Sequence, residues 1–99
     1  QFFFGSTTQI VSHFDEMLET ECIILNYSSN TELDMSAIFA LEDIIVRLKS
    51  QKIQLILVIP NQKVYEQIKS LEIVSQIGQE AIYTDEKDAI NKAVAEYID

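Results

Sequence analysis

Few residues in this sequence are spaced for bond-making chemistry. The single histidine, His13, stands between the apolar positions of a helix-like stripe, with no nucleophile motif beside it. It reads as a structural histidine rather than an acid–base group. The single cysteine lies in the apolar run Cys22-Ile23-Ile24-Leu25 and reads as a buried small hydrophobe. Gly5 and Gly78 are the only glycines, so no glycine-rich phosphate loop or dinucleotide fingerprint can be built. A G-x-S-x-G nucleophile elbow is missing as well. One cysteine and one histidine fall short of the ligand sets that hold zinc. The carboxylates are scattered over helix-like stretches, where solvated faces account for them. The expectation is a chain without catalytic residues, metal or cofactor.

One segment concentrates polar side chains: Asn26-Tyr27-Ser28-Ser29-Asn30-Thr31-Glu32-Leu33-Asp34-Met35-Ser36-Ala37. It reads as a strand end, a loop rich in hydroxyls and amides, and a helix N-terminus, and open α/β sheets take ligands at such strand ends. Asp34 is a good N-cap, which makes Ser36 the second residue of the helix, near the positive end of the macrodipole. A phosphate on Ser36 is favoured there by the helix terminus and opposed by Asp34 and Glu32. Equally, Ser36 reads as an ordinary first-turn residue.

The helix that follows, from about Met35 to about Ser50, has two informative faces. At ~100° per residue, Ala37, Ile38, Leu41, Ile44, Ile45 and Leu48 gather on one side as a core face. Opposite them lie Ser36, Phe39, Ala40, Asp43, Val46 and Arg47. Phe39 and Val46 are thus apolar on the outer side, beside a hydroxyl that can be modified. They read either as part of a partner surface or as the edge of a broad buried face.

Other elements follow from period and punctuation. Phe2-Phe3-Phe4 reads as a strand that Gly5 breaks, and Ser6-Thr7-Thr8 offers an N-cap to a helix carrying Ile10, Phe14, Met17 and Leu18. Cys22 to Leu25 reads as a strand covered on both faces, and Ile53 to Ile59, apolar except for Gln54, as the strongest strand of the sequence. Pro60-Asn61 ends the second of these, and Val64, Tyr65, Ile68 and Leu71 mark a helix from Gln62 to about Ser70. Ile82-Tyr83 is a brief strand. Thr84-Asp85 caps a last helix with Ala89, Ile90, Ala93, Val94 and Tyr97. A β-α-β-α-β-α-β-α rhythm of this kind favours an α/β layer with a mainly parallel sheet flanked by about four helices.

The chain has 99 residues, the size of one domain, with apolar residues at 47% and charged residues at 23%, a globular composition. Seven Lys+Arg against sixteen Asp+Glu give a formal charge of -9. That balance argues against nucleic acid and against docking on anionic lipid, both of which need basic clusters. No apolar stretch approaches the ~20 residues of a membrane helix, so direct membrane insertion is not expected. The opening Gln1-Phe2-Phe3-Phe4-Gly5 carries no initiator Met or charged leader. It reads as the end of a buried strand, so residues 1–99 are expected to be a single domain cut from a longer polypeptide and lacking part of its N-terminal strands.

Taken together, the pattern resembles the STAS domain shared by SulP (sulfate permease) anion transporters and bacterial anti-sigma factor antagonists. The resemblance spans nearly the whole chain. It rests on Phe2-Phe3-Phe4-Gly5, on Cys22-Ile23-Ile24-Leu25 leading to the segment Asp34 to Glu42, on Ile77 to Tyr83, and on Asp88-Ala89-Ile90. The phenylalanine run ending in glycine is similar to the transporter branch. The resemblance implies the anti-sigma factor antagonist-like α/β fold and a place at the cytoplasmic C-terminus of a membrane transporter, on the inner side of the cell membrane. Ser36 matches the position phosphorylated in antagonists, and Asp34 the acidic residue before it. Met35 and Ala37 depart from the small Ser and Gly common there, and Glu72 stands where many members carry glycine.

These readings converge on a non-catalytic regulatory and interaction domain of a SulP-type transporter of sulfate or a related anion. Its surface is expected at Ser28, Ser29, Asn30, Asp34, Ser36, Phe39, Asp43, Val46 and Arg47, with Ser36 the candidate phospho-acceptor. The expected partners are the transmembrane domain of the same transporter, a second copy in a homodimer, or a soluble regulatory protein. The alternatives are an antagonist-like switch worked by Ser36 phosphorylation and, more weakly, a nucleotide or small-molecule binding module.

Overall fold

The structure, a computed structural model, describes residues 2–12 and 19–97. Four parallel strands form one sheet: β1 (Phe2–Gly5), β2 (Cys22–Asn26), β3 (Gln54–Val58) and β4 (Ile82–Tyr83), in the spatial order β1-β2-β3-β4. The register sets Phe3 beside Ile23, Ile23 beside Leu55 and Leu57 beside Ile82. Around the sheet lie α1 (Thr7–Ser12), α2 (Met35–Ser50), α3 (Gln62–Ser70), α4 (Ile73–Ile77) and α5 (Glu86–Tyr97). A single 3₁₀ turn over Gln79–Ala81 leads into β4.

Alternation along the strands divides the core in two. Ile23, Leu25, Leu55 and Leu57 point to one face, where they meet Ile10 of α1, the core stripe of α2, Val64 and Ile68 of α3, and Ile73. Cys22, Ile24, Ile56 and Val58 point to the other, which α5 covers through the buried Ala89 and Ala93 and the partly buried Ile90 and Tyr97. The strand order never reverses. Crossovers of one hand, as right-twisted strands favour, therefore place α1, α2 and α3 on the same side, and only the helix after the last strand reaches the second face.

Some local details differ from the sequence reading. Gly5 does not break β1 but pairs within it, beside Leu25. A Cβ there would lie 2.6 Å from Gln9 Oε1 and 2.7 Å from the Phe3 ring, so a larger residue would require those two side chains to shift. The expected four helices are joined by the short α4. It starts at Glu72 in the left-handed region (φ 61°) without a side-chain cap, and five residues are too few for a period to show. Of the stripe expected on the first helix, Ile10 is buried. Phe14, Met17, Leu18 and His13 lie outside the described residues.

Candidate functional site

The loop between β2 and α2 is built from its own side chains first. Asn26 Oδ1 accepts from the Ser28 backbone N–H at 2.9 Å and from the Ser28 hydroxyl. Tyr27 C=O accepts from Asn30 N–H at 3.0 Å, closing the turn. These contacts hold Ser28 and Ser29 outward, exposed, with Asn30 half-buried. Beneath them Tyr27 is 2% exposed, and its hydroxyl accepts from Thr7 Oγ1 at 3.2 Å, tying β2 to the start of α1. Burial pushes the Tyr27 phenol up to about 12, against a smaller downward pull from the Thr7 bond.

Helix α2 begins as its sequence dictates. Asp34 caps it, accepting from Ala37 N–H at 2.8 Å. Ser36 follows in the first turn with its side chain in solvent. A shallow cleft of about 410 Å³ lined by Asn30, Glu32, Leu33, Asp34 and Ala37 runs beside it. The core stripe is buried as the period required, with Leu41 at 0% and Ile45 at 2% exposure. On the outer side Phe39 is 60% exposed and Val46 64%. The edge-of-core alternative for these two is thereby removed. Asp43 and Arg47, one turn apart on this side, pair at 2.9 Å in the open, where such a pair adds little stability. So Ser36, Phe39, Asp43, Val46 and Arg47 share one helix face, while Ser28, Ser29 and Asn30 sit on the loop at its N-terminal end.

Three contributors escaped the sequence reading. Met35 is 58% exposed and extends the apolar stripe by a turn; the same helical period would have placed it there. Gln67 of α3 pairs with both backbone groups of Leu33: its Oε1 accepts from Leu33 N–H and its Nε2 donates to Leu33 C=O, each at 2.9 Å. Lys63, one turn before Gln67, meets Glu32 at 3.1 Å. No local pattern announces either contact, since the partners lie some thirty residues apart.

Elsewhere, Cys22 is fully buried and its thiol is pushed up to about 11, by burial first and by Glu96 second. Among the described residues no group of His, Cys, Asp and Glu side chains is placed to hold a metal ion. No helix among them is long and apolar enough to cross a membrane.

Among the described residues the strand order has no reversal point, the place at which open α/β sheets take ligands. What the fold offers is a helix face with an apolar stripe, a hydroxyl at its start and a polar loop beside it. That defines a surface-bearing α/β module. Consistent with this, the STAS domain family model matches residues 1–89, and the chain belongs to the STAS family.

Relatives of known description lie among plant transporters. Sulfate transporter 1.1 of Arabidopsis thaliana is 34% identical over 68 residues, covering 69% of this chain and 10% of the relative. High affinity sulfate transporter 2 of Stylosanthes hamata is 29% identical over 75 residues, covering 76% of this chain and 11% of the relative. The chain thus spans about a tenth of these relatives' length. Its fold is that of the SulP transporter STAS domain from Vibrio cholerae, with a TM-score of 0.81 at 17% identity over 96% of this chain and 80% of that one.

Proposed function

We propose that this chain is the cytoplasmic STAS domain of a SulP-type transporter of sulfate or a related anion, and that it serves there as a non-catalytic regulatory docking module. Translocation belongs to a separate membrane domain of the same polypeptide, which is also its first partner. The observation that carries this reading is the solvent-exposed stripe Met35, Phe39 and Val46 on α2, beside Ser36, where most other large hydrophobes among the described residues are buried. Apolar area gathered on a helix face away from the core marks a contact surface. Similarity to named sulfate transporters supports the setting.

A second copy is the less favoured partner for this face. Packing two α2 helices antiparallel so that Phe39 of each meets Val46 of the other would centre the contact between positions 42 and 43. The carboxylates of Glu42 and Asp43 from both copies would then converge, and although each Asp43 is paired with its own Arg47, the two Glu42 charges would be left to repel one another. A different protein surface, from the membrane domain or a soluble regulator, suits the stripe better.

The exposed Ser36 hydroxyl, second in α2 and two residues past the cap, favours a second reading as an antagonist-like phospho-switch. One experiment separates the two. In the full-length protein, Phe39→Asp is expected to leave folding intact and to impair anion uptake or assembly. Incubation with the cell's kinases and mass spectrometry then reports Ser36. Normal uptake and assembly in Phe39→Asp, together with a phosphorylated Ser36, would replace the first reading with the second.

A further inference from the structure

The start of α2 is held from outside its own sequence. Residues 28–30 are organised by Asn26 and Tyr27, but that network stops short of the residues leading into the cap. Leu33 is buried at 3% exposure, and its N–H and C=O both need partners. They find both on one side chain, the Gln67 carboxamide of α3, in the two-point pairing that a neighbouring strand would otherwise supply. Lys63 lies one helical turn before Gln67 and reaches Glu32, so a single face of α3 grips two successive residues, 32 and 33, immediately before Asp34. The Lys63 contact is exposed on both sides and solvent-screened, which leaves Gln67 as the principal grip.

We propose that Gln67 is a positioning residue for the docking surface: by fixing Leu33 it sets where Asp34 caps α2, and so how Ser36, Met35 and Phe39 are presented. Helix α3 and the docking face are then two ends of one mechanical link. A partner that orders the loop tightens the grip of Gln67, and a perturbation of α3 loosens the surface, as reciprocity of coupled equilibria demands. The functional half of this inference rests on the docking reading above; the structural half does not.

The test uses Gln67→Met, which keeps the bulk and flexibility of the side chain and removes both hydrogen bonds. Amide hydrogen exchange is followed at Leu33, at Ala37, whose N–H reports the Asp34 cap, and at Leu57 in the central strand. Expected is exchange at least tenfold faster at Leu33, and clearly faster at Ala37, with Leu57 unchanged. Gln67→Glu, which keeps an acceptor for Leu33 N–H and loses the donor, should fall between Gln67→Met and the parent chain at Ala37. Three results overturn the proposal: Leu33 unchanged, all three sites accelerating together as in global unfolding, or Leu33 accelerating with the Ala37 cap untouched. Anion uptake by the full-length protein supplies the second arm. Gln67→Met should reduce whatever Phe39→Asp reduces, without altering the stripe itself. Impairment by Phe39→Asp alone defeats the coupling and spares the docking reading. Local exchange effects as expected, with neither variant impaired, defeat the docking reading and spare the positioning role.

Discussion

A phenol buried under a polar loop is held protonated by its surroundings. Tyr27 keeps its proton up to about 12 in the folded domain, against an ordinary value of 10.0, because burial penalises the phenolate. Cys22 behaves alike, held to about 11 against 9.0. Both groups are raised, so between the two values the folded chain binds more protons than the unfolded one. Their contribution is fully present below about pH 9 and is lost as pH rises through 11 and 12. Urea melts at stepped pH should therefore show stability falling across that alkaline window. Tyr27→Phe should be about 1 kcal/mol less stable at pH 7, having lost the Thr7 hydrogen bond, and flatter above pH 10 by roughly 2–3 kcal/mol. An unchanged alkaline slope would mean that Tyr27 titrates as an exposed phenol does. Glu72 offers a second test at this scale. It occupies the left-handed region at φ 61°, which costs a side-chain-bearing residue more than glycine. Glu72→Gly is expected to stabilise the domain by roughly 0.5–1 kcal/mol, after allowing for the extra freedom of glycine in the unfolded chain. A lower urea midpoint would count against strain at this position.

Helix α2 shows how two faces of one element divide stability from contact. Leu41 and Ile45 are buried against the sheet, so either changed to Ala should cost ~2–5 kcal/mol by chemical denaturation. Phe39→Asp, on the opposite side, should stay within about half a kcal/mol of the parent chain, as exposed positions do. Equal losses from both faces would mean that the outer stripe packs against something in the free domain. This element was the most legible in the sequence because sixteen residues give more than four turns, enough for the 100° period to fix the angle of every side chain. The boundaries Met35 and Ser50 followed from Asp34 and from the change of period after Ser50. Helix α4 was illegible for the opposite reason: five residues begin at an uncapped, left-handed Glu72. The Gln67–Leu33 pairing was equally hidden, since a glutamine on a helix carries no signal of which backbone group it will meet. Period and caps are local properties, and the contacts that orient the loop are not.

At the scale of the molecule, the two faces of the sheet are covered by different numbers of helices among the described residues. Among these residues four helices cover the first face, whereas α5 alone covers the second, through the fully buried Ala89 and Ala93 against Cys22, Ile24, Ile56 and Val58, with Ile90 and Tyr97 partly buried beside them. The two alanines let the helix approach the sheet closely but bury little apolar area of their own, so Ile90 and Tyr97 supply the larger side chains of the contact. Because α5 is the one helix described on this face and the last of the described elements, its undocking is expected at a lower free energy than global unfolding. Cys22 reports on it directly, because its thiol is shielded by that helix and is protonated near neutral pH. Labelling by a thiol reagent at pH 8 should be slow in the native state and should proceed through α5 undocking. Ala93→Leu forces extra volume into this contact and should weaken it by ~1–3 kcal/mol, speeding labelling on the order of 10- to 100-fold. Leu41→Ala acts on the other face, so it should lower global stability at least as much while speeding labelling less. Labelling rates that simply followed global stability in both variants would show the domain opening as one unit, with α5 no looser than the rest.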